Sequence, residues 1–183
     1  MLKAKVSIVS GVIVLFAAKV AHPNDIVDFR EYGNCAVATI VDAFADGEMH
    51  RMSCSYDDSD NHFMGEQDAT SVDCYGTDMW GVYLELGDRL FHGGDTVQIK
   101  YRFDRRVVGE GSWNWDGENG VAYSFSSDIA TEFSDGVATA SRLVFQIGDE
   151  GPGTIEFSDG GINAVLEFQD RCARSFYSGD NNS

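Results

Sequence analysis

Residues 74–104 decide the fold, and they read CYGTDMWGVYLELGDRLFHGGDTVQIKYRFD. In the second half of this stretch, apolar side chains alternate with polar ones, at Val97, Ile99, Tyr101 and Phe103. The first half alternates in the same way, at Trp80, Val82, Leu84 and Leu86. Because successive side chains of a strand point to opposite sides, the pattern predicts a pair of strands with one buried face and one wet face.

The later part of the chain adds further strands and two short helices to this pair. Alternating apolar residues predict strands at 121–125, 143–147 and 154–157. A helix at 127–134 would begin at an N-cap serine, Ser126 or Ser127, and helical spacing returns at 161–172. The chain is therefore predicted to be mainly β, an antiparallel β-sandwich with one or two small helices.

Residues 34–44, NCAVATIVDAF, are ambiguous between a helix and a strand. Their apolar residues recur at helical spacing, Asn34 would serve as an N-cap and Gly47 as a stop. The β-branched residues argue for a strand, but the periodicity argues more strongly for a helix. We therefore predict a short helical segment near the N-terminus.

The charge of the chain is strongly negative. Among 183 residues, 30 acidic side chains face 13 basic ones, which gives a net charge of -17. Such a field repels nucleic acid and anionic lipid and attracts cationic partners, although solubility alone also explains it. The composition thus argues against a nucleic-acid-binding protein.

The first 21 residues have the composition of an export signal. Lys3 and Lys5 precede an uncharged, mostly apolar run at 6–18, which is too short to span a bilayer comfortably. We predict a signal peptide at 1–21, with an uncleaved anchor as the alternative. The protein is then periplasmic or secreted, without a stable membrane span once the signal is removed.

Four cysteines follow the signal: Cys35, Cys54, Cys74 and Cys172. An even number in an exported protein predicts two disulfides, and the spacing alone leaves three pairings open. The histidines are scattered and no CxxC pair occurs, so we predict no zinc site. The acidic segment 57–61 has alternating carboxylates that suit calcium, but it lacks the rest of an EF-hand loop and is better interpreted as a turn.

The sequence shows no arrangement of residues typical of catalysis. No GxSxG, HExxH or phosphate-binding glycine loop occurs, and His92 lies in a polar loop with no identifiable second group to orient it. Carboxylate pairs such as Asp116 and Glu118 arise by chance in so acidic a chain. We predict no enzyme activity, no cofactor and no metal.

Three residues are candidates for ligand binding. Trp113 and Trp115 are two apart and share one face of a strand, where they would stack on a sugar or fill the core. Arg102 lies on the wet face beside Lys100, where it would pair with an acid across the sheet or anchor an anionic ligand.

Two groups of motifs follow one another along the chain. The N-terminal group is Cys35, an apolar segment and RMSCSYD at 51–57. The longer group comprises Cys74, YLEL at 83–86, YRFD at 101–104, Trp113, RLVF at 142–145, Phe157, Gly161 and Cys172. In this order, the motifs resemble those of the VasI/TagO-like proteins, exported accessory proteins linked to type VI secretion. The resemblance implies pairing of Cys35 with Cys54 and of Cys74 with Cys172.

We accordingly divide the chain into a signal peptide (1–21), a cysteine-containing accessory segment (22–70), a β-sandwich domain (71–174) and a flexible tail (175–183). The resemblance implies a non-enzymatic accessory or binding protein with a protein partner in the cell envelope. Two alternatives stay open: an acidic inhibitor of a cationic envelope enzyme such as lysozyme, favoured by the charge, and a carbohydrate-binding module, favoured by the tryptophans.

Overall fold

The computed structural model describes residues 24–42, 47–55, 68–75, 79–86, 94–158 and 160–178. These ranges hold ten strands and two helices: β1 (Asn24–Tyr32), β2 (Cys35–Asp42), β3 (Gly47–Ser55), β4 (Asp68–Tyr75), β5 (Met79–Leu86), β6 (Thr96–Phe103), β7 (Gly109–Asp116), β8 (Val121–Ser124), α1 (Ser127–Thr139), β9 (Arg142–Ile147), β10 (Gly153–Glu156) and α2 (Gly161–Ser178). The predicted signal peptide, the acidic segment 57–61 and His92 lie outside the described residues.

The ten described strands form one antiparallel sheet in the order β1-β2-β3-β4-β5-β8-β7-β6-β9-β10. The predicted class, mainly β and antiparallel with two small helices and two disulfides, is confirmed. A sandwich stacks two sheets, whereas here one continuous sheet bends until β10 lies against β3 and β4. The curved sheet therefore encloses a core from more than one side.

The two strands of the stretch at 74–104 form as predicted, but they do not pair with each other. Side chains of β6 alternate between exposed and buried along its whole length. β5 pairs with β4 and β8, and β6 pairs with β7 and β9, so β8 and β7 lie between them in the sheet. Nine residues, 87–95, separate β5 from β6, which is longer than a hairpin loop.

The segment at 34–44 is not helical. Its residues from Cys35 to Asp42 form β2, which pairs with β1 and β3. Side chains are buried on both faces of this strand, Val37 on one face and Ala36 and Ala38 on the other. Because a strand covered on both faces loses its alternation, its apolar residues matched helical spacing as well.

The described chain does not divide at residue 70. That boundary falls inside β4, which pairs with β3 from Met49 to Ser55, so the predicted accessory segment shares the sheet. α2 runs 18 residues to Ser178, so residues 175–178 of the predicted tail are helical. Neither of the two described helices combines the length and the apolar character needed to cross a bilayer.

Both helices pack on one face of the sheet, which we call the inner face. The hydroxyl of Ser126 accepts a hydrogen bond from the backbone N–H of Ile129, which confirms one of the two predicted N-caps for α1. The ring of Phe133 in α1 lies 4.9 Å from that of Tyr101 and 5.2 Å from that of Phe103. The alternating apolar set of β6 thus forms the core under α1.

Asn34, predicted as a helix N-cap, instead joins distant strands. It lies in the turn between β1 and β2, beside Gly33, whose φ of 62° favours glycine. The Nδ2 group donates to the carbonyls of Ser55 and Glu156 at 2.6 and 2.5 Å. Its Oδ1 accepts from the backbone N–H of Ser158 at 3.0 Å. This one buried amide holds the end of β10 against the ends of β2 and β3.

The disulfide pairing implied by the resemblance is confirmed. Cys35 and Cys54 lie directly opposite each other on β2 and β3 and are bonded, with 4.0 Å between their Cα atoms. Cys74 on β4 is bonded to Cys172 on α2, with 6.1 Å between Cα atoms. The second bond fixes α2 to the inner face of the sheet.

Candidate binding surface

The two tryptophans belong to the core. Trp113 and Trp115 share one face of β7, as predicted, but that face is the inner one, and they are only 3% and 7% exposed. The ring of Trp113 lies 6.1 Å from that of Tyr101 and 5.8 Å from that of Phe133. Neither indole is accessible to a ligand, so of the two roles considered for them, stacking on a sugar and filling the core, the structure shows the second.

Arg102 is exposed on the outer face of β6, as predicted. The residue opposite it on β9 is Val144, so the register offers no acid for a cross-strand ion pair. Among the described residues Arg102 makes no ion pair, which leaves its charge available to a ligand.

Three aromatic side chains gather on the outer face where β5 meets β8. Tyr83 lies opposite Tyr123, with ring centroids 6.1 Å apart and ring planes at 26°. Phe125 lies 5.4 Å from Tyr123 and 6.4 Å from Tyr83, and 55% of it is exposed. We call these three residues the aromatic cluster. An exposed ring beside two partly exposed rings is typical of a surface that contacts another molecule.

The aromatic cluster rests on a fixed base. A Cβ at Gly81 would lie 2.9 Å from the ring of Tyr83, so only glycine leaves room for this ring position. The guanidinium carbon of Arg51 lies 5.2 Å from the centroid of the same ring. Arg51 in turn donates two hydrogen bonds of 2.7 Å to the fully buried carboxylate of Asp73. Because Asp73 fixes Arg51, and Arg51 contacts the ring of Tyr83, this ring is pre-positioned.

A carboxyl group with a perturbed pKa borders the aromatic cluster. Glu85 follows Tyr83 by two residues on β5 and therefore points to the same outer face. Burial raises the pKa of Glu85, and the carboxylate of Asp73 adds to this while Arg51 opposes it. A carboxyl group that keeps its proton to higher pH donates a hydrogen bond as well as accepting one. Perturbed groups of this kind concentrate at functional sites.

The sequence pattern did not reveal this surface. Alternation at 121–125 predicted a strand, but it did not show which of its faces is buried. In the structure Ala122 is buried on the inner face, and Phe125 is exposed. The available signal was the position of Tyr83, which lies in the polar set of β5, between the buried Val82 and Leu84.

A cluster of polar residues lies on the inner face under α2. Arg171, only 4% exposed, contacts Asp28 at 3.0 Å, Glu167 at 2.8 Å and the hydroxyl of Thr39 at 2.9 Å. The hydroxyl of Thr39 also forms a hydrogen bond of 3.0 Å with Nδ1 of His50. Burial lowers the pKa of His50. The histidine is buried in the interface between α2 and the sheet, which makes this cluster structural.

Comparison of the chain with protein-family models, curated proteins and solved structures finds no match. Within the described ranges, no group of three or more His, Cys, Asp or Glu side chains is placed to hold a metal ion.

Proposed function

We propose that this protein is an exported, non-enzymatic binding protein of the cell envelope and that it binds through the aromatic cluster. The observation that carries the proposal is the exposure of Phe125, 55%, beside two further rings on a rigid strand pair. An exposed phenylalanine ring costs solubility, and pre-positioned aromatic side chains contribute large contact areas at low entropic cost. This combination favours a docking surface.

Export is supported by the cysteines and by the N-terminal sequence. All four cysteines are paired in two disulfides, which persist in oxidising compartments such as the periplasm. The basic start and the short apolar run at 6–18 have the order of a secretory signal. An accessory role in type VI secretion, as the motif order implies, is the specific form of this proposal.

The contacts of the titratable residues favour binding over turnover. His50 and Arg171 are buried between α2 and the sheet, and the carboxylate of Asp104 accepts hydrogen bonds from Ser141 and Arg142 at the start of β9. A general base must reach the proton that it abstracts, but His50 is buried and the carboxylate of Asp104 is already occupied by hydrogen bonds within the protein.

A glycan is the second candidate ligand, on one observation. Tyr83 and Tyr123 present nearly parallel rings, and the carboxyl group of Glu85 lies beside them on the same face. The apolar face of a sugar ring packs on such a platform while its hydroxyl groups hydrogen-bond to the carboxyl group. An envelope protein would use the same rings as an apolar anchor.

Retention of envelope components by the immobilised protein tests the proposal. We expect the wild type to retain either cell-wall glycan or a component of a solubilised envelope fraction. Phe125→Ser should retain at least about ten-fold less, because it removes a ring that the ligand would cover on binding. Ile162→Ser is the matched control, because Ile162 is 50% exposed on α2, away from the cluster.

Equal losses in the two variants, or no retention by the wild type, would contradict binding at the aromatic cluster. The same glycan preparation also tests the non-enzymatic part of the proposal. We expect no release of reducing ends on prolonged incubation, and steady release that Glu85→Gln abolishes would show an enzyme instead.

A further inference from the structure

The basic residues of this acidic chain are concentrated at one place. Three of the 13 basic residues lie in 1–21, which leaves ten. Five of these ten belong to β6, the following turn and the start of β9: Lys100, Arg102, Arg105, Arg106 and Arg142. All five are exposed. Half of the positive charge outside the predicted signal therefore lies on one part of the surface.

The register of the sheet brings these five residues together. Lys100 and Arg102 are two apart on the outer face of β6, and Arg102 lies opposite Val144. Arg142 is two residues from Val144 on the same face, so its Cα is about 7–8 Å from that of Arg102. The turn after Phe103 carries Arg105 and Arg106 and is closed by a hydrogen bond from the N–H of Arg106 to the carbonyl of Phe103.

These five cations differ from the rest in lacking ionic partners. The other described basic residues, Arg30, Arg51, Arg171 and Arg174, each form an ion pair with a carboxylate. None of the five forms one with a described residue, and the guanidinium of Arg106 donates to the hydroxyl of Thr139. Their charges are therefore available to an anion from outside the chain.

Three acids lie near the five cations and reduce their charge only in part. Glu110 is opposite Lys100 on β7, and Glu156 is opposite Arg142 on β10. Asp104 begins the turn with φ 46°, and its carboxylate is occupied by the hydroxyl and N–H of Ser141 and the N–H of Arg142. The local balance stays positive in a chain whose net charge is -17.

Two apolar side chains project from the same turn. Val107 is 90% exposed and Val108 is 50% exposed, directly after Arg105 and Arg106. We call the five cations together with these two valines the basic tip. Projecting valines next to unpaired arginines match an interface between water and lipid, where apolar side chains insert and cations contact headgroups. A nucleic acid or an anionic polymer offers no apolar phase for the valines.

We infer that the basic tip docks the protein on an anionic lipid surface. The net charge predicts repulsion from such a surface, but the field close to the tip is that of the local cations, because charges farther than about 8–10 Å are screened at physiological salt. The acidic remainder of the molecule is then repelled, so the tip faces the bilayer. This docking is separate from binding at the aromatic cluster.

Co-sedimentation of the exported protein with vesicles tests the inference. We expect binding to mixed phosphatidylcholine–phosphatidylglycerol vesicles that exceeds binding to pure phosphatidylcholine and weakens as salt rises. Neutral vesicles measure whatever the apolar N-terminal segment contributes. The double variant Arg102→Gln/Arg105→Gln should bind anionic vesicles with about 25-fold lower affinity, because each cation near the surface contributes about five-fold. Val107→Ser should bind them with about ten-fold lower affinity.

Two matched controls separate docking from general effects. Val27→Ser removes a valine that is 58% exposed on β1, and Arg174→Gln removes an exposed arginine at the far end of α2. Both should bind like the wild type. Three results would each overturn the inference. The first is equal binding to neutral and anionic vesicles, and the second is an equal loss of vesicle binding in Val27→Ser and Val107→Ser. The third is binding that depends on the arginines, is unchanged by Val107→Ser and is also seen with heparin.

Discussion

At the scale of single residues, Glu85 links the stability of the fold to its proposed function. Its carboxyl group borders the aromatic cluster, and burial raises its pKa above the ordinary value of 4.5. Ionising it in the folded chain costs free energy, which the nearby Arg51 offsets only in part. Such a cost at one residue is common where stability has been exchanged for binding.

Substitution Glu85→Gln should therefore stabilise the protein near neutral pH. With the folded pKa raised, the folded state holds this proton more tightly than the unfolded state, so stability is lost as pH rises from 4.5 through the folded value. The amide has no charge to bury and avoids this loss. Melting temperatures at neutral pH should favour the variant, and the difference should vanish below the ordinary pKa. A variant less stable than the wild type at neutral pH would show that Glu85 is favourably ionised.

At the scale of elements, the sequence predicted strands well where one face is wet and poorly where both are covered. β6 was predictable because Val97, Ile99, Tyr101 and Phe103 alternate with exposed residues. β2 was not, because Ala36, Ala38 and Ile40 are buried on the outer face as well. The alternation pattern also did not predict which strands pair, since β8 and β7 lie between β5 and β6 in the sheet.

The contact between α1 and β6 is tight enough to test with one methyl group. A Cβ at Gly136 would lie 2.4 Å from the ring of Phe103, which is fully packed beneath Phe133. Alanine gains about 1 kcal/mol in helix propensity but overpacking costs about 1–3 kcal/mol, so we expect net destabilisation.

Urea denaturation measures this effect, with Gly151→Ala as the control because no atom of the described residues lies within 4 Å of its Cβ position. We expect Gly136→Ala to unfold at lower urea than the wild type and Gly151→Ala to remain close to it. A stabilised Gly136→Ala would mean that α1 lies farther from β6 than the structure places it.

The two disulfides should contribute unequally to stability. They close segments with sequence separations of 98 and 19 residues. Chain entropy assigns about 4–5 kcal/mol to the longer loop and about 3 kcal/mol to the shorter one. Replacing Cys74 and Cys172 by alanine should therefore lower the free energy of unfolding more than replacing Cys35 and Cys54. The reverse order would show that the entropy of the unfolded chain is not the dominant contribution.

At the scale of the whole molecule, the sequence pattern indicated the class and the family resemblance implied the disulfide pairing, but neither indicated the binding surface. The aromatic cluster joins Tyr83 to Tyr123 and Phe125, which are far apart in the chain and meet only because β5 pairs with β8. A pairing between strands separated by two others in sequence order leaves no local signal. The tryptophans, which composition singles out, went to the core instead.

Net charge was equally incomplete as a guide to partners. The value of -17 describes the average field, while the basic tip gathers five cations on one end of β6 and its neighbours. The molecule thus presents an acidic body, a basic tip and a separate aromatic cluster. Sequence counts cannot locate these surfaces, because register and curvature decide which residues become neighbours.

Oxidative footprinting of side chains with hydroxyl radicals tests the central claim, binding through the aromatic cluster, most directly. The exported protein is labelled alone and in the presence of the glycan or envelope component that it retains. We predict that oxidation of Phe125 and Tyr123 falls in the complex while that of Ile162 on α2 stays constant. Unchanged oxidation of Phe125, or protection confined to Ile162, would contradict this account.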